Sequence, residues 1–118
     1  MKLFTKDIRN KLAANGQKQA QAQEHNEEIN FKPVVKLFTP DSNATWLLTE
    51  VDPYDPDIAF GLCDLGMGFP ELGSVRLSEL ESLLGVLGLP IERDLHFSPA
   101  KTLSQYAEEA SQAGRIIT

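Results

Sequence analysis

The chain has 118 residues, of which 42% are hydrophobic and 24% charged, and its formal net charge is −6. A domain of this length buries about two-thirds of its unfolded surface, so it can fold without disulfides or a metal, and the composition excludes full disorder. A single Cys excludes an internal disulfide and a CxxC site. The sequence has neither an apolar run of membrane-spanning length nor a signal-peptide core, so it predicts a soluble, cytoplasmic single domain over residues 1–118.

Charge is distributed unevenly along the chain. Residues 1–36 carry seven bases and four acids, whereas residues 37–118 carry four bases and thirteen acids. We therefore divide the domain into a helical, more polar and basic N-terminal extension (1–30) and an acidic body (31–118). The body is expected to repel nucleic-acid phosphates, whose binding requires clustered Lys and Arg, and to attract a basic protein surface.

The N-terminal region predicts a helix. Thr5 is a suitable N-cap, Ile8 and Leu12 have helical spacing, and Gly16 is placed to end the helix. Residues 17–28 contain no apolar residue larger than Ala, and they predict a solvated helical extension or a linker.

Four β-prone runs follow, at residues 34–38, 45–51, 58–65 and 74–77. The segment 52–57 predicts a turn, because its two prolines cannot donate to a strand ladder. A glycine-rich loop over residues 66–73 leads into the fourth run.

The C-terminal third predicts two helices and one strand. Ser78 and Glu81 fit a capping box, and a leucine stripe behind them predicts a core-facing helix that ends near Gly88. The stripe consists of Leu80, Leu83, Leu84 and Leu87. A strand over 91–97 and a helix from a second capping box at Thr102 to Gly114 complete the chain.

These elements define an α+β fold. Short links between consecutive strands favour a small, mostly antiparallel sheet of about four to five strands. We expect N-terminal, central and C-terminal helices to pack on one face of it.

Metal and cofactor motifs are absent from the sequence. His25, Cys63 and His96 lack metal-ligand spacing, and the acids after Asp52 do not fit an EF-hand loop. The glycines of 61–68 precede no Gly-Lys-Ser/Thr, which excludes a Walker-type phosphate site. The sequence therefore predicts no cofactor and no metal.

A protein-binding surface is the preferred functional interpretation. Aromatic residues in loops, surrounded by acids, are typical of a docking surface for a basic partner protein. The alternative that these loops fold back and bury their aromatic residues is left open. The candidate partner-binding residues are Asp52, Tyr54, Asp55, Asp57, Met67, Phe69 and Glu71.

Two other functions are kept as alternatives. Asp64 and Glu71 flank the glycine-rich loop and could converge as the acid–base pair of a small hydrolase or transferase. The basic N-terminal helix could contact DNA through Lys6, Arg9 and Lys11, although the acidic body makes nucleic-acid binding the weaker interpretation.

Long sequence strings also carry a resemblance. They lie at residues 31–38 (FKPVVKLF), 45–50 (TWLLTE), 60–66 (FGLCDLG), 70–73 (PELG) and 89–94 (LPIERD). Together they resemble a bacterial family of short proteins that is classed as a domain of unknown function. The resemblance covers almost the whole chain and implies an uncharacterised accessory role on plasmids and integrative mobile elements. It implies no established activity and no catalytic residues.

Overall fold

A computed structural model describes every residue from Met1 to Thr118. The chain forms three α-helices and five β-strands. In chain order these are α1 (Lys6–Glu24), β1 (Val35–Phe38), β2 (Thr45–Asp52), β3 (Asp55–Asp64), β4 (Glu71–Arg76), α2 (Leu77–Ser82), β5 (Glu92–Arg93) and α3 (Leu103–Ala113). None of the helices is long and apolar enough to cross a membrane.

The strands form one sheet in the order β4-β3-β2-β1-β5. Every neighbouring pair is antiparallel, and the first four strands follow one another as a meander. β5 returns to the other side of β1, with Arg93 opposite Leu37 and Glu92 opposite Phe38. The predicted α+β fold, with four to five mostly antiparallel strands and three helices, is confirmed.

Helices cover both faces of this sheet. Trp46 and Leu48 of β2 are buried in a cluster that includes Leu12 of α1 and Leu80 of α2, whereas Leu47 packs with α3 on the opposite face. The expectation that all helices lie on one face is therefore wrong. Successive side chains of a strand point to opposite faces, so three consecutive apolar residues in a central strand require a cover on each side.

α1 continues through Gly16 to Glu24, so the prediction that Gly16 ends the helix is wrong. Gly16 is instead a contact point with the sheet, because a Cβ there would lie 1.9 Å from the carbonyl oxygen of Val51. Next to it, the Asn15 side chain donates to the carbonyl of Thr49 at 2.9 Å. The missing side chain thus lets the helix lie directly against β2.

Residues 17–28 were predicted to form either a helical extension or a linker, and they are helical as far as Glu24. Gln19 is buried, although the sequence indicated a solvated segment. Its side-chain amide donates to the Ile29 carbonyl at 2.8 Å and accepts from the Ile29 N–H at 2.9 Å. A polar side chain therefore attaches the segment after α1 to the helix itself.

α2 is much shorter than the leucine stripe predicts, since it ends at Ser82. Leu83, Leu84 and Leu87 are exposed and do not face the core. Beyond the helix the chain is bound by the Asp41 carboxylate of the β1–β2 turn, which accepts the N–H groups of Leu87 at 2.8 Å and Leu89 at 3.2 Å. Bonds from a distant turn therefore prevail over the local periodicity.

The start of α2 also differs from the predicted capping box. Arg76 occupies the N-cap position and contributes no side-chain capping bond. Ser78 lies in the first turn, and its N–H and hydroxyl donate to the two carboxylate oxygens of Asp57 at 2.9 and 2.7 Å. The N–H of Ser78, which the predicted capping box would bond to the Glu81 side chain, is thus bonded to Asp57 of β3 instead. By contrast, the box at Thr102 and the left-handed Gly114 bound α3 as predicted.

Three strand boundaries also differ from the predictions. β4 begins at Glu71, inside the predicted glycine-rich loop over residues 66–73, and ends at Arg76. β3 begins at Asp55 and includes Pro56, because the pairing jumps from Asp52 opposite Asp55 to Val51 opposite Ala59, and residues 56–58 have no partner on β2. Proline is tolerated where the ladder requires no hydrogen bond. β5 spans two residues rather than 91–97, and the chain turns away after it.

Replacing Gly16 with Ala tests the helix–sheet contact. Ala stabilises an isolated helix by about 1 kcal/mol relative to Gly, but here its methyl group would meet a backbone carbonyl. We expect a net loss of about 1–2 kcal/mol in the free energy of unfolding, measured by urea denaturation. Ala14→Gly, at an exposed position of the same helix, is the control that reports propensity alone. A stabilised Gly16→Ala protein would contradict the contact.

Candidate functional site

The predicted partner-binding residues lie at two opposite ends of the sheet. Asp52, Tyr54 and Asp55 belong to the β2–β3 hairpin, whereas Met67 and Phe69 belong to the loop between β3 and β4. The length of β3 separates the two groups by roughly 30 Å, at about 3.3 Å per residue. They therefore form two surfaces and not one, and each is described by itself.

The hairpin surface is built around Tyr54. Its side chain is 94% exposed at the tip of the β2–β3 turn, so the turn does not fold back to bury it. The carboxylate of Asp52 accepts the Tyr54 N–H at 2.8 Å, which fixes the backbone of the turn. An aromatic ring is thus exposed to solvent on a turn whose backbone is hydrogen-bonded to Asp52.

The carboxylates of Asp55 and Asp57 are bonded to other residues of the domain. Arg76 Nη1 lies 3.3 Å from Asp55 Oδ2 and 3.5 Å from Asp57 Oδ2. The hydrogen bonds from Ser78 hold the pKa of Asp57 below its ordinary value, and the bond to Asp55 raises the pKa of Arg76. The two acids share one guanidinium and keep one net negative charge between them, so they add less to a docking surface than the sequence indicated.

A cavity of about 370 Å³ opens beside the hairpin, between α1, the end of β2 and the segment after α1. Three carboxylates line it, those of Glu28, Glu50 and Asp52, and none of them forms a salt bridge. No Lys, Arg or His lines it. Tyr54 forms part of its wall. The uncompensated negative charge of this end therefore converges on one concave site.

Glu50 is the half-buried carboxylate of this cavity. It follows Thr49, the extra residue of a β-bulge, since Leu48 pairs with Gly61 and Glu50 pairs with Phe60. Burial raises the pKa of Glu50, and the hydrogen bond from the Thr49 hydroxyl offsets part of that effect. Sequence analysis missed Glu50 and Glu28. The available signal was a charged residue that interrupts an otherwise apolar strand.

The second surface surrounds the glycine-rich loop. Met67 and Phe69 are 71% and 80% exposed, and Glu71 is exposed beside them. The loop is held at its base by Asn43 of the β1–β2 turn, which lies against Gly66. The exposed leucines after α2 lie at the same end of the sheet, because Asp41 in that turn binds them. This end is apolar, in contrast to the acidic hairpin end.

Asp64 and Glu71 do not form the predicted acid–base pair. Asp64 is 3% exposed, and its two oxygens accept the N–H groups of Gly66 at 2.8 Å and Ile116 at 2.9 Å. Glu71 pairs with Cys63 across β3 and β4, so its side chain projects from the face opposite that of Asp64. The carboxylate site of the hydrolase or transferase alternative is therefore not assembled.

A larger hollow of about 630 Å³ lies next to the glycine-rich loop and reaches the end of α3. Its two acids are already bonded, Asp64 as above and Asp94 to the His96 N–H and to Lys36. Lys36 and Arg115 also line it, so its lining is close to neutral. It lacks the uncompensated charge of the hairpin cavity.

The residues proposed for DNA contact are partly paired. Arg9 Nη2 lies 3.1 Å from Glu81 Oε1, and Lys11 lies 3.5 Å from Asp7 in the preceding helical turn. Lys6 is exposed and forms no salt bridge. Two of the three residues proposed for DNA contact therefore already have a carboxylate partner within the chain.

No three side chains of His, Cys, Asp or Glu are grouped so that they could hold a metal ion. Cys63 is half-buried against the core, and burial raises the pKa of its thiol to about 11. The thiol is therefore protonated at neutral pH and is a poor nucleophile.

These features define a small α+β domain with an acidic cavity at one end of its sheet and an exposed apolar loop at the other. The family described as "Protein of unknown function (DUF2958)" matches residues 3–117, and the chain belongs to this family. The resemblance to a domain-of-unknown-function family is thereby confirmed. Comparison with curated proteins gave no match. Comparison with solved structures also gave none.

The roles of Asp64 and Glu71 can be separated by mutation. Asp64→Ala leaves two backbone N–H groups without their acceptor, and we expect it to lower the free energy of unfolding by about 2–4 kcal/mol. Glu71→Ala, at an exposed position, should stay within about 0.5 kcal/mol of the wild type. Chemical denaturation of both variants measures the difference. Equal effects would contradict a structural role specific to Asp64.

The raised pKa of Glu50 predicts that the stability of the protein depends on pH. Because its pKa is raised in the folded state, its stabilising contribution is present at acid pH and is lost as the pH rises through that pKa. Glu50→Gln should therefore raise the melting temperature at neutral pH, and the gain should shrink on acidification, when the wild-type side chain is also neutral. Thermal denaturation across that range, with the exposed Glu108→Gln as a control of equal charge change, checks this. A gain that is independent of pH would contradict it.

Proposed function

We propose that this protein is a non-catalytic protein-binding module that docks on a basic segment of a partner protein through its hairpin end. The observation that carries the proposal is the combination of an exposed Tyr54 with an adjacent cavity whose carboxylates have no counter-ion. Tyr54 also lines this cavity, so a single partner segment can contact both features together.

Charge supports this choice of partner. The net charge of −6 steers a basic surface towards the protein, and an uncompensated acidic cavity retains it at close range. Some acids elsewhere are paired with a lysine, such as Asp7 with Lys11 and Glu109 with Lys101, whereas others, such as Glu71 and Glu108, are exposed and form no salt bridge. The hairpin end differs from both kinds because three carboxylates without a counter-ion line one concave site there.

The aromatic side chain supports it as well. Tyr residues at the centre of an interface contribute strongly because they bury a large rigid surface at a low cost in conformational entropy. Tyr54 is held out on a turn that its own backbone bonding fixes, so little order must be gained on binding.

The biological setting comes from the resemblance noted in the sequence. It implies an accessory role on plasmids and integrative mobile elements. A basic host-defence or DNA-processing protein is therefore the first partner to test, with this protein acting as its inhibitor or adaptor.

The test is affinity capture of the tagged protein from a bacterial host lysate with nuclease present, followed by reconstitution with the purified partner. Tyr54→Ala should weaken the reconstituted complex by about 2 kcal/mol, roughly thirtyfold in Kd. Phe69→Ala, an equally exposed aromatic residue at the other end of the sheet, is the matched control and should leave Kd unchanged. Asp55 and Asp57 are unsuitable for this test, because their removal frees Arg76 and Ser78.

Three outcomes would overturn the proposal. If no nuclease-resistant partner is captured, the binding function fails. If capture is lost on nuclease treatment, nucleic acid carries the interaction. If Phe69→Ala abolishes binding while Tyr54→Ala does not, the glycine-rich loop is the docking surface.

A further inference from the structure

We infer that the hairpin cavity receives one Arg or Lys side chain of the basic partner segment, with Glu50 at its base as the anchoring carboxylate. This inference rests on the proposed function and specifies which chemical group of the partner is recognised. The inference thus predicts recognition in a defined pocket, which differs from a general attraction between oppositely charged surfaces.

The lining of the cavity fits a long side chain with a charged end. Gly16 and Ala20 of α1 present little side-chain volume, while Ile58 and Phe60 of β3 supply apolar surface for an aliphatic stem. Tyr54 stands at the hairpin, where an aromatic ring can contact a guanidinium or ammonium group. The volume of about 370 Å³ suits one such side chain and is small for a folded element.

The carboxylates supply the recognition. Glu28, Glu50 and Asp52 come from three different places in the chain, namely the segment after α1, the bulge of β2 and the hairpin. α1 contributes the uncharged Gln19 and Gln23 to the lining, so no group on the helix neutralises the carboxylates. A cation at Glu50 therefore lies in the negative field of the other two carboxylates, although the three are not grouped closely enough to hold one metal ion together.

Gln19 positions one of these acids. Its two hydrogen bonds to the Ile29 backbone fix the segment that carries Glu28 against α1. The proximity of Glu28 contributes to the raised pKa of Glu50, after burial as the main cause. The two carboxylates thus repel each other in the free protein, and an incoming cation relieves that repulsion.

This arrangement couples binding to protons. A bound cation favours the ionised form of Glu50, so binding lowers the pKa of that carboxyl group and releases a proton where the group was protonated. Glu28, Asp52 and the Tyr54 phenol are the other titratable groups that face it. Affinity should consequently fall as the pH is lowered through the pKa of Glu50.

The experiment uses a small probe and the full chain. N-acetyl-arginine amide is titrated into ¹⁵N-labelled protein at low salt, with N-acetyl-citrulline amide as the neutral control of the same shape. We expect saturable shift changes at Gln19, Glu50 and Tyr54 with the arginine probe and none with the citrulline probe. Glu50→Gln should weaken the arginine probe by about tenfold, as the loss of one charge-assisted hydrogen bond predicts. Glu108→Gln, which removes one exposed charge on α3, should leave its Kd unchanged.

The inference is overturned if citrulline and arginine bind equally, if shifts spread over all acidic residues, or if Glu108→Gln weakens binding as much as Glu50→Gln. It is also overturned if Glu50→Gln leaves the pH dependence of the Kd intact. These failures are distinguishable from failure of the proposed function. If a captured partner loses affinity on Tyr54→Ala but not on Glu50→Gln, the proposed docking surface stands and the cavity is not part of it. If the arginine probe binds in the cavity but no protein partner is captured, the inference about the cavity stands and the proposed docking function fails.

Discussion

The fold depends on the burial of β2 on both of its faces. Trp46, Leu47 and Leu48 are consecutive and almost inaccessible to solvent, so neither side of the central strand can face water. α1 and α2 cover one face and α3 covers the other. The close approach of α1 at Gly16 completes the first layer and also forms one wall of the hairpin cavity. The site therefore results from the way α1 meets the hairpin end of the sheet.

The acidic character of the chain divides into two kinds of carboxylate. Asp41, Asp57 and Asp64 accept backbone N–H groups from segments distant in sequence and hold the loop after α2, the start of α2 and the C-terminal tail in place. Glu28, Glu50 and Asp52 have no counter-ion and lie around one cavity. Net charge and composition treat both kinds alike, although the first kind builds the fold and the second is available to a ligand.

Much of the architecture could be predicted from local sequence signals. The N-cap at Thr5, the capping box at Thr102, the strand meander and the α+β class all follow from short-range chemistry. The errors arose where a distant group overrides a local pattern. The leucine stripe after Ser78 is interrupted by Asp41, and Gly16 serves a backbone contact with Val51 and not a helix end. The candidate site was predicted in part: Tyr54 and Asp52 belong to it, whereas Glu28 and Glu50 join it through a loop bonded to Gln19 and a β-bulge, neither of which a single sequence reveals.

The bonding of Asp64 links two segments that are far apart in sequence. One oxygen holds the glycine-rich loop at Gly66, and the other holds the tail at Ile116. The tail is fastened a second time where the Lys36 ammonium group donates to the hydroxyl of Thr118 at 2.6 Å. Loop and tail consequently share one buried carboxylate, so the release of either segment leaves one of its oxygens without a hydrogen-bond partner. The base of the loop that carries Phe69 is thus connected through one side chain to the C-terminal residues of the chain.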